Sequence, residues 1–261
     1  MIPGSYKKRQ KVTLKKILKK CFDFSINGKW RTMGNFILSD GCNLFNQNKF
    51  YINRVKLHCP LCQYSDFSFI HLSNENEISW NSACPKCDSR SRHRGLIFVY
   101  KQFFKNSRKS KILHFAPEEV LKIEIKKMRN IHYLTTDMEM TNVDFPNEDI
   151  QCLSFNNSSF DFILINHVLE HVSDDEKAIS ELSRILKPKG IVIITIPGNW
   201  SRKHTKEFKK INYNGHYRDY GLDAKIMFQK YFSFVDQVNL FKYKGRKHAI
   251  KKNEPAFICT K

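Results

Sequence analysis

Between Lys111 and Pro197 the chain alternates short apolar runs with helical patterns, and this alternation constrains its fold more than any other feature. "KILHFA" (111–116) precedes a helical pattern over 118–128, and "IHYLTTD" (131–137) ends a second run on an acid. A weak third strand is expected near 149–153. "FDFILIN" (160–166) is a near-continuous apolar run of the kind buried on both faces. The helix after it, over 173–190, caps at Ser173 or Asp174 and stops at Lys-Pro-Lys-Gly. "IVIITIP" (191–197) is another central strand. Strands alternating with helices predict an α/β fold with a mostly parallel sheet covered on both faces. "FSFVDQVNLF" (232–241) and "PAFICTK" (255–261), joined by a basic loop, predict a closing antiparallel hairpin.

Open α/β sheets bind ligands beyond the carboxyl ends of their strands. Here those ends are His114–Glu118, Asp137, Asp149 and Asn166–His167. The first turn, "HFAPEEV", lacks the glycines that let a backbone approach a pyrophosphate, and Pro117 removes a donor as well. That argues against NAD or FAD and leaves room for a cofactor with a ribose, an adenine and no phosphate. Asp137 is placed to accept hydrogen bonds from ribose hydroxyls. Taken singly, Glu118, Asp137 and Asp149 read as helix caps or surface acids, since acids are mostly exposed. Their joint placement at successive strand ends favours the ligand reading.

Ahead of this region stand Cys59-Pro-Leu-Cys62 and Cys84-Pro-Lys-Cys87, separated by 21 residues. Each C-x-x-C turn directs two thiolates at one point, and two such turns complete a tetrahedral zinc-ribbon-like site. A site closed by four thiolates has no open position, so its metal is structural. Cys21, Cys42, Cys152 and Cys259 lack such spacing and read as apolar filler. Arg90, Arg92, His93 and Arg94 follow the second pair, either gripping a phosphate or carboxylate or opening a solvated helix.

Net charge is +20, so the surface attracts anions such as nucleic acid, anionic lipid or acidic glycans. Residues 1–22 carry eight Lys or Arg and no acid, with Leu14, Ile17, Leu18, Cys21 and Phe22 at helical spacing. That pattern is either a basic amphipathic helix for an anionic membrane or a frayed solvated terminus. Residues 23–58 have no assignable period. No run approaches ~18 apolar residues, and paired cysteines at ligand spacing suit a reducing compartment. A soluble, cytoplasmic protein is expected. Its predicted parts are a basic segment (1–50), the four-cysteine module (51–95) and the α/β domain (96–261).

His167-Val-Leu-Glu170-His171 matches H-x-x-E-H, the inverted zinc-protease signature. It follows a buried strand directly rather than sitting within a helix, and no third ligand is evident downstream, so neither a protease nor a zinc ion at this motif is expected, and the expected count is one zinc per chain, on the four cysteines.

The order "LHFAPE … TTDME … DIQCLSFNNSSFDFILINHVLEHV … ILKPKGIVIITIP" resembles class I S-adenosylmethionine-dependent methyltransferases over roughly residues 110–261. It is similar to a branch in which "LHFAPE" replaces the glycine-rich first motif and a "CPxC … RHR" segment precedes it. The resemblance implies a Rossmann-like sheet and S-adenosylmethionine as cofactor. It implicates His114, Phe115, Ala116 and Glu118 around the methionine part, and Asp137 with Met138 at the ribose and adenine. Asp149 and Ile150 fall at the adenine, and Asn166 and His167 at the methionine end. His171 is the candidate general base. The expected acceptor is a small molecule or glycan, methylated on oxygen. RNA, held by the zinc module and basic surface, is the alternative, and a non-catalytic binding module on a degenerate fold is a third reading.

Overall fold

The computed structural model describes residues 13–26, 30–47, 55–73, 77–105 and 109–261. Two compact units divide the chain. Val99–Leu240 and Asn253–Lys261 make one, and the described parts of Pro3–Phe98 together with Phe241–Lys252 make the other.

The larger unit is built on a seven-stranded sheet. Its strands are β1 (Ser110–Phe115), β2 (Ile131–Asp137), β3 (Phe145–Pro146), β4 (Phe160–Asn166), β5 (Leu186–Thr195), β6 (Phe234–Asn239) and β7 (Pro255–Thr260). Their spatial order is β3-β2-β1-β4-β5-β7-β6. The first five are parallel, and β7 runs antiparallel between β5 and β6. This is the mostly parallel Rossmann-like sheet with a closing antiparallel hairpin that the sequence predicts. Register aligns the middle of the sheet, with Leu113 opposite Leu134 and Ile163, and Val192 opposite Ile163 and Cys259. Ile163, Leu164, Ile165, Val192, Ile193 and Ile194 are fully buried. Successive buried side chains point to opposite faces of a strand, so both faces of the central sheet are covered.

Two short helices flank this sequence region. One spans Glu119–Lys126 and the other, Asp175–Ile185, buries Ala178, Ile179, Leu182 and Ile185 at a spacing of one and three residues. Asp174 caps the latter, its Oδ1 accepting the Lys177 N–H at 2.9 Å. That helix ends at Ile185, five residues short of the sequence expectation, and Lys187-Pro188-Lys189-Gly190 is already part of β5. Proline disfavours helical backbone at the residue before it. Lys189 then takes φ 64°, and a Cβ on Gly190 would meet Leu186 Cγ and the Lys187 carbonyl at 2.8 Å. The third strand also differs from expectation. It is Phe145–Pro146, paired to Thr136–Asp137, while 149–153 is a turn. Pro146 has no N–H for a longer ladder, and Asn147 at φ 61° turns the chain away.

The smaller unit contains helices over Leu14–Ile26 and Trp30–Gln47, the latter inside the stretch with no assignable period. It also has two short antiparallel ribbons, Leu57–His58 with Ser65–Asp66 and Ile70–Ser73 with Ile78–Ala83. Asn43 ties the second helix to a ribbon, donating to the His71 carbonyl and accepting the His71 N–H at 2.9 and 2.8 Å. Phe241–Lys252, the expected hairpin loop, clusters with this unit. No helix among the described residues is long and apolar enough to cross a membrane.

Candidate active site and metal centre

The carboxyl ends of β1, β2 and β4 lie side by side. Phe115 pairs with Thr136 on one flank and Ile165 on the other, so Ala116, Asp137 and Asn166 each come next along adjacent strands. Ala116 and His167, the residues that leave β1 and β4, both take left-handed backbone, at φ 45° and 54°. Their N–H groups donate to the carbonyls of Thr136 and Thr195 on neighbouring strands, at 2.9 and 2.8 Å. Alanine thus makes the sharp first turn where the sequence has no glycine, at a backbone cost of about 1–2 kcal/mol.

A buried polar network lies beneath this edge. The fully buried His114 has Nδ1 2.8 Å from the Tyr133 hydroxyl and Nε2 3.2 Å from Asn166 Nδ2. Asn166 Nδ2 also lies 3.0 Å from both the Tyr100 hydroxyl and Glu118 Oε2. Asn166 Oδ1 accepts from Thr195 Oγ1 at 3.2 Å. Burial pushes the Tyr133 hydroxyl well above its ordinary pKa, so it stays a phenol. Tyr100, Tyr133 and Thr195 are absent from the sequence expectations, because nothing in a strand or helix pattern marks which polar residue faces which.

The candidate residues separate by depth. His114, Phe115, Ile150 and Asn166 are buried, and Phe115 and Ile150 belong to the hydrophobic core. Ala116, Glu118, Asp137, Asp149 and His167 are half-buried, and Met138 is exposed. Asp137 Oδ1 accepts the N–H groups of Glu139 and Met140, both at 2.7 Å, and so shapes the turn beyond β2. Asp149 Oδ1 accepts the Gln151 N–H at 2.9 Å.

Beyond β4, Leu169–His171 forms a single 3-10 turn. Glu170 is wholly buried, with His167 Nδ1 3.1 Å and His171 Nε2 3.9 Å from its Oε1. Neither carboxylate oxygen meets a donor in hydrogen-bonding geometry. Burial pushes the Glu170 pKa up, but the imidazoles of His167 and His171 outweigh it and the group is held below the usual carboxylate range. His216, 45 positions after His171 (216 minus 171), packs edge-on against the His171 ring at 4.8 Å. Burial lowers the His216 pKa and keeps it neutral. The sequence offers no third partner near H-x-x-E-H; the fold brings one from a distant loop.

In the smaller unit the four cysteines converge as the spacing predicts. Cys59 and Cys87 Sγ are 3.7 Å apart, and Cys62 and Cys84 Sγ 3.6 Å. A tetrahedral Zn–S bond of about 2.3 Å sets sulfurs about 3.8 Å apart, so zinc fits. The two turns are built alike: Gln63 N–H returns to the Cys59 carbonyl and Asp88 N–H to the Cys84 carbonyl, with Gln63 and Asp88 both at positive φ. Contacts from Cys84 and Cys87 favour the Cys59 thiolate, while that thiolate pushes the Cys84 and Cys87 thiols up. Four thiolates at this spacing need a cation to coexist. Cys21, Cys42, Cys152 and Cys259 stand apart from the cluster and are free thiols.

The basic cluster after the second knuckle is largely structural. Arg94 is fully buried, and its guanidinium donates to the carbonyls of Asn81, Ser82, Ser89, His248 and Ala249. It is therefore not available to grip a phosphate. Arg90 lies 3.7 Å from Asp88.

Residues 109–194 match the family described as "Methyltransferase domain". The ubiquinone/menaquinone biosynthesis C-methyltransferase UbiE of Escherichia coli is 32% identical over 77 residues, which is 30% of this chain and 28% of that protein. The chain thus spans under a third of the length of such relatives. Among solved structures, phospholethanolamine N-methyltransferase 2 of Haemonchus contortus aligns at 14% identity and TM-score 0.48, over 70% of this chain and 54% of that one. The 1,6-didemethyltoxoflavin-N1-methyltransferase of Burkholderia thailandensis aligns at 12% and 0.46, over 65% and 76%. The strand order is that of a Rossmann-like sheet, and the stretch 109–194 within it is similar to methyltransferase domains.

Proposed function

We propose that the protein transfers a methyl group from S-adenosylmethionine to an acceptor oxygen on a small molecule or glycan. One observation carries this reading: the ends of β1, β2 and β4 are in register, placing Ala116, Asp137 and Asn166 side by side at the edge where open sheets bind ligands. In this reading Ala116 and Glu118 flank the methionine part. Asp137 takes the ribose with the oxygen that does not hold its own turn. Asp149 receives the adenine amine, with Ile150 below the ring and Met138 covering it. His114 and Phe115 lie behind that surface and act by positioning. Asn166 and His167 border the methionine end.

The bound cofactor supplies an activated methyl, and the chain's part is to orient acceptor and methyl in line and to exclude water. A hydroxyl acceptor must lose a proton. His171, exposed on its outer side and backed by Glu170, is the base in this reading. A structural zinc on Cys59, Cys62, Cys84 and Cys87 would hold the smaller unit together.

The net charge of +20 favours a second reading, in which the acceptor is RNA. On the Leu14–Ile26 helix, Ile17 is buried while Leu14, Leu18 and Phe22 stay exposed beside Lys15 and Lys19. That face suits peripheral contact with an anionic membrane. A non-catalytic binding module is the third reading. Tritiated-methyl transfer into fractionated lysate tests all of these. Label in glycan or small molecules supports the first, label in RNA supports the second, and no label with intact cofactor binding supports the third.

A further inference from the structure

We propose that Glu170, His171 and His216 form a second divalent-metal site, separate from the four cysteines, that takes a borderline transition ion such as zinc. One ligand atom from each lies within 4.8 Å of the others. Zinc bonds of ~2.0–2.2 Å place ligands about 3.3–3.6 Å apart in a tetrahedron. A shift of about an ångström, available to the half-exposed His171 ring, closes the difference.

Three features of the chain point to a cation. The first is Glu170, whose two oxygens lie wholly buried and meet no donor in hydrogen-bonding geometry, although His167 Nδ1 comes within 3.1 Å of Oε1. An unsatisfied buried carboxylate is costly, and natural structures retain one where an ion or a partner completes it. The second is His171. Its Nδ1 lies 3.1 Å from the Gly215 carbonyl, and donating there assigns the lone pair to Nε2, the nitrogen facing Glu170. Metal-binding histidines almost always fix their other nitrogen on a carbonyl or carboxylate in this way. Gly215 makes the contact by adopting φ +80°.

The third feature is the effort spent on holding His216 in place. The Tyr217 N–H donates to the Glu170 carbonyl at 2.8 Å. Arg218 donates to the carbonyls of Leu169, Val172 and Ser173. Asn212 Oδ1 accepts the His216 N–H at 3.0 Å. These bonds lace the loop around residue 216 onto the turn at 169–173, and they fix two imidazoles and a carboxylate facing one another. That donor set suits zinc, iron, copper or nickel rather than calcium or magnesium, which prefer all-oxygen ligands. Three protein ligands leave positions open, as in catalytic rather than structural sites. If methyl transfer is the activity, an acceptor hydroxyl on the ion would be acidified there, and His171 would serve as a ligand instead of a free base. The site itself does not rest on methyl transfer.

The test is a metal count on the full chain, saturated with zinc, desalted and analysed for zinc and sulfur. Wild type should hold about two zinc ions per chain, and Glu170→Gln and His216→Ala about one each, at unchanged far-UV circular dichroism. A second measurement uses wild type alone, so it survives any failure of a variant to fold. Cobalt added to protein with zinc on its cysteines should give weak visible bands of nitrogen and oxygen ligation, without thiolate charge transfer. One zinc per chain in wild type with no cobalt spectrum would overturn the proposal, as would a second zinc that persists in both variants. S-adenosylhomocysteine binding, measured separately, tells failure of this site from failure of the methyltransferase reading.

Discussion

Replacing Asp137 with asparagine isolates the ribose contact from the turn that the same side chain holds. In the free protein Asp137 Oδ1 accepts two N–H groups, from Glu139 and Met140. Asparagine keeps a carbonyl oxygen for that task, so the turn beyond β2 should persist. What changes is the other atom, a carboxylate oxygen that becomes an amide NH2 and loses the charge that strengthens a bond to a ribose hydroxyl. A hydrogen bond to a charged group contributes about 1.5–3 kcal/mol, so S-adenosylhomocysteine should bind about 10–150-fold more weakly. Asp137→Ala also releases the two turn N–H groups and should lose at least as much. Isothermal titration at matched salt reads both. Equal affinity of wild type and the asparagine variant would refute the ribose assignment, and no binding by wild type would remove the cofactor reading altogether.

Cys62→Ser should lose the cysteine-bound zinc and unfold the smaller unit, since structural zinc binding contributes directly to folding; retained zinc with an unchanged melting curve would contradict it. Arg94→Lys should destabilise the same unit by about 2–4 kcal/mol, because an ammonium with three donors replaces a fork that serves five carbonyls; urea unfolding of the zinc-loaded protein measures it. Burial holds the His71 pKa at about 4 in the folded protein, below its ordinary unfolded value. The unfolded state therefore binds the extra proton between these values, and His71 costs at most about 3 kcal/mol of stability as pH falls from about 6.5 to 4. His71→Gln, whose amide oxygen can still accept the Asn81 N–H, should flatten that part of the pH profile relative to wild type; parallel profiles would contradict it. Leu18→Glu with Phe22→Glu should abolish binding to vesicles containing phosphatidylserine if the first helix docks there, and unchanged sedimentation with vesicles would make that face idle.

The sequence by itself determined the elements whose signal is local. "FDFILIN" and "IVIITIP" become largely buried central strands because a near-continuous apolar run has no polar face to offer water. The two C-P-x-C turns converge because each fixes its own pair of thiols through backbone geometry that four residues encode. Asp174 caps its helix through a bond to Lys177, three residues away. Even the glycine-free first turn is legible in part, since the ends of alternating strands mark where a ligand must lie.

What tertiary structure decided were relations between distant segments, which no period records. The edge strand at Phe145–Pro146 exists only because Thr136–Asp137 lies alongside it. Arg94, read as a possible phosphate grip, faces five carbonyls from three separate stretches of chain and spends its donors there. The H-x-x-E-H motif lacks a third partner in sequence because His216 reaches it through a loop pinned by Arg218. Side-chain identity sets what a group can bind, but burial and the approach of remote backbone decide which of its donors and acceptors remain to bind anything else.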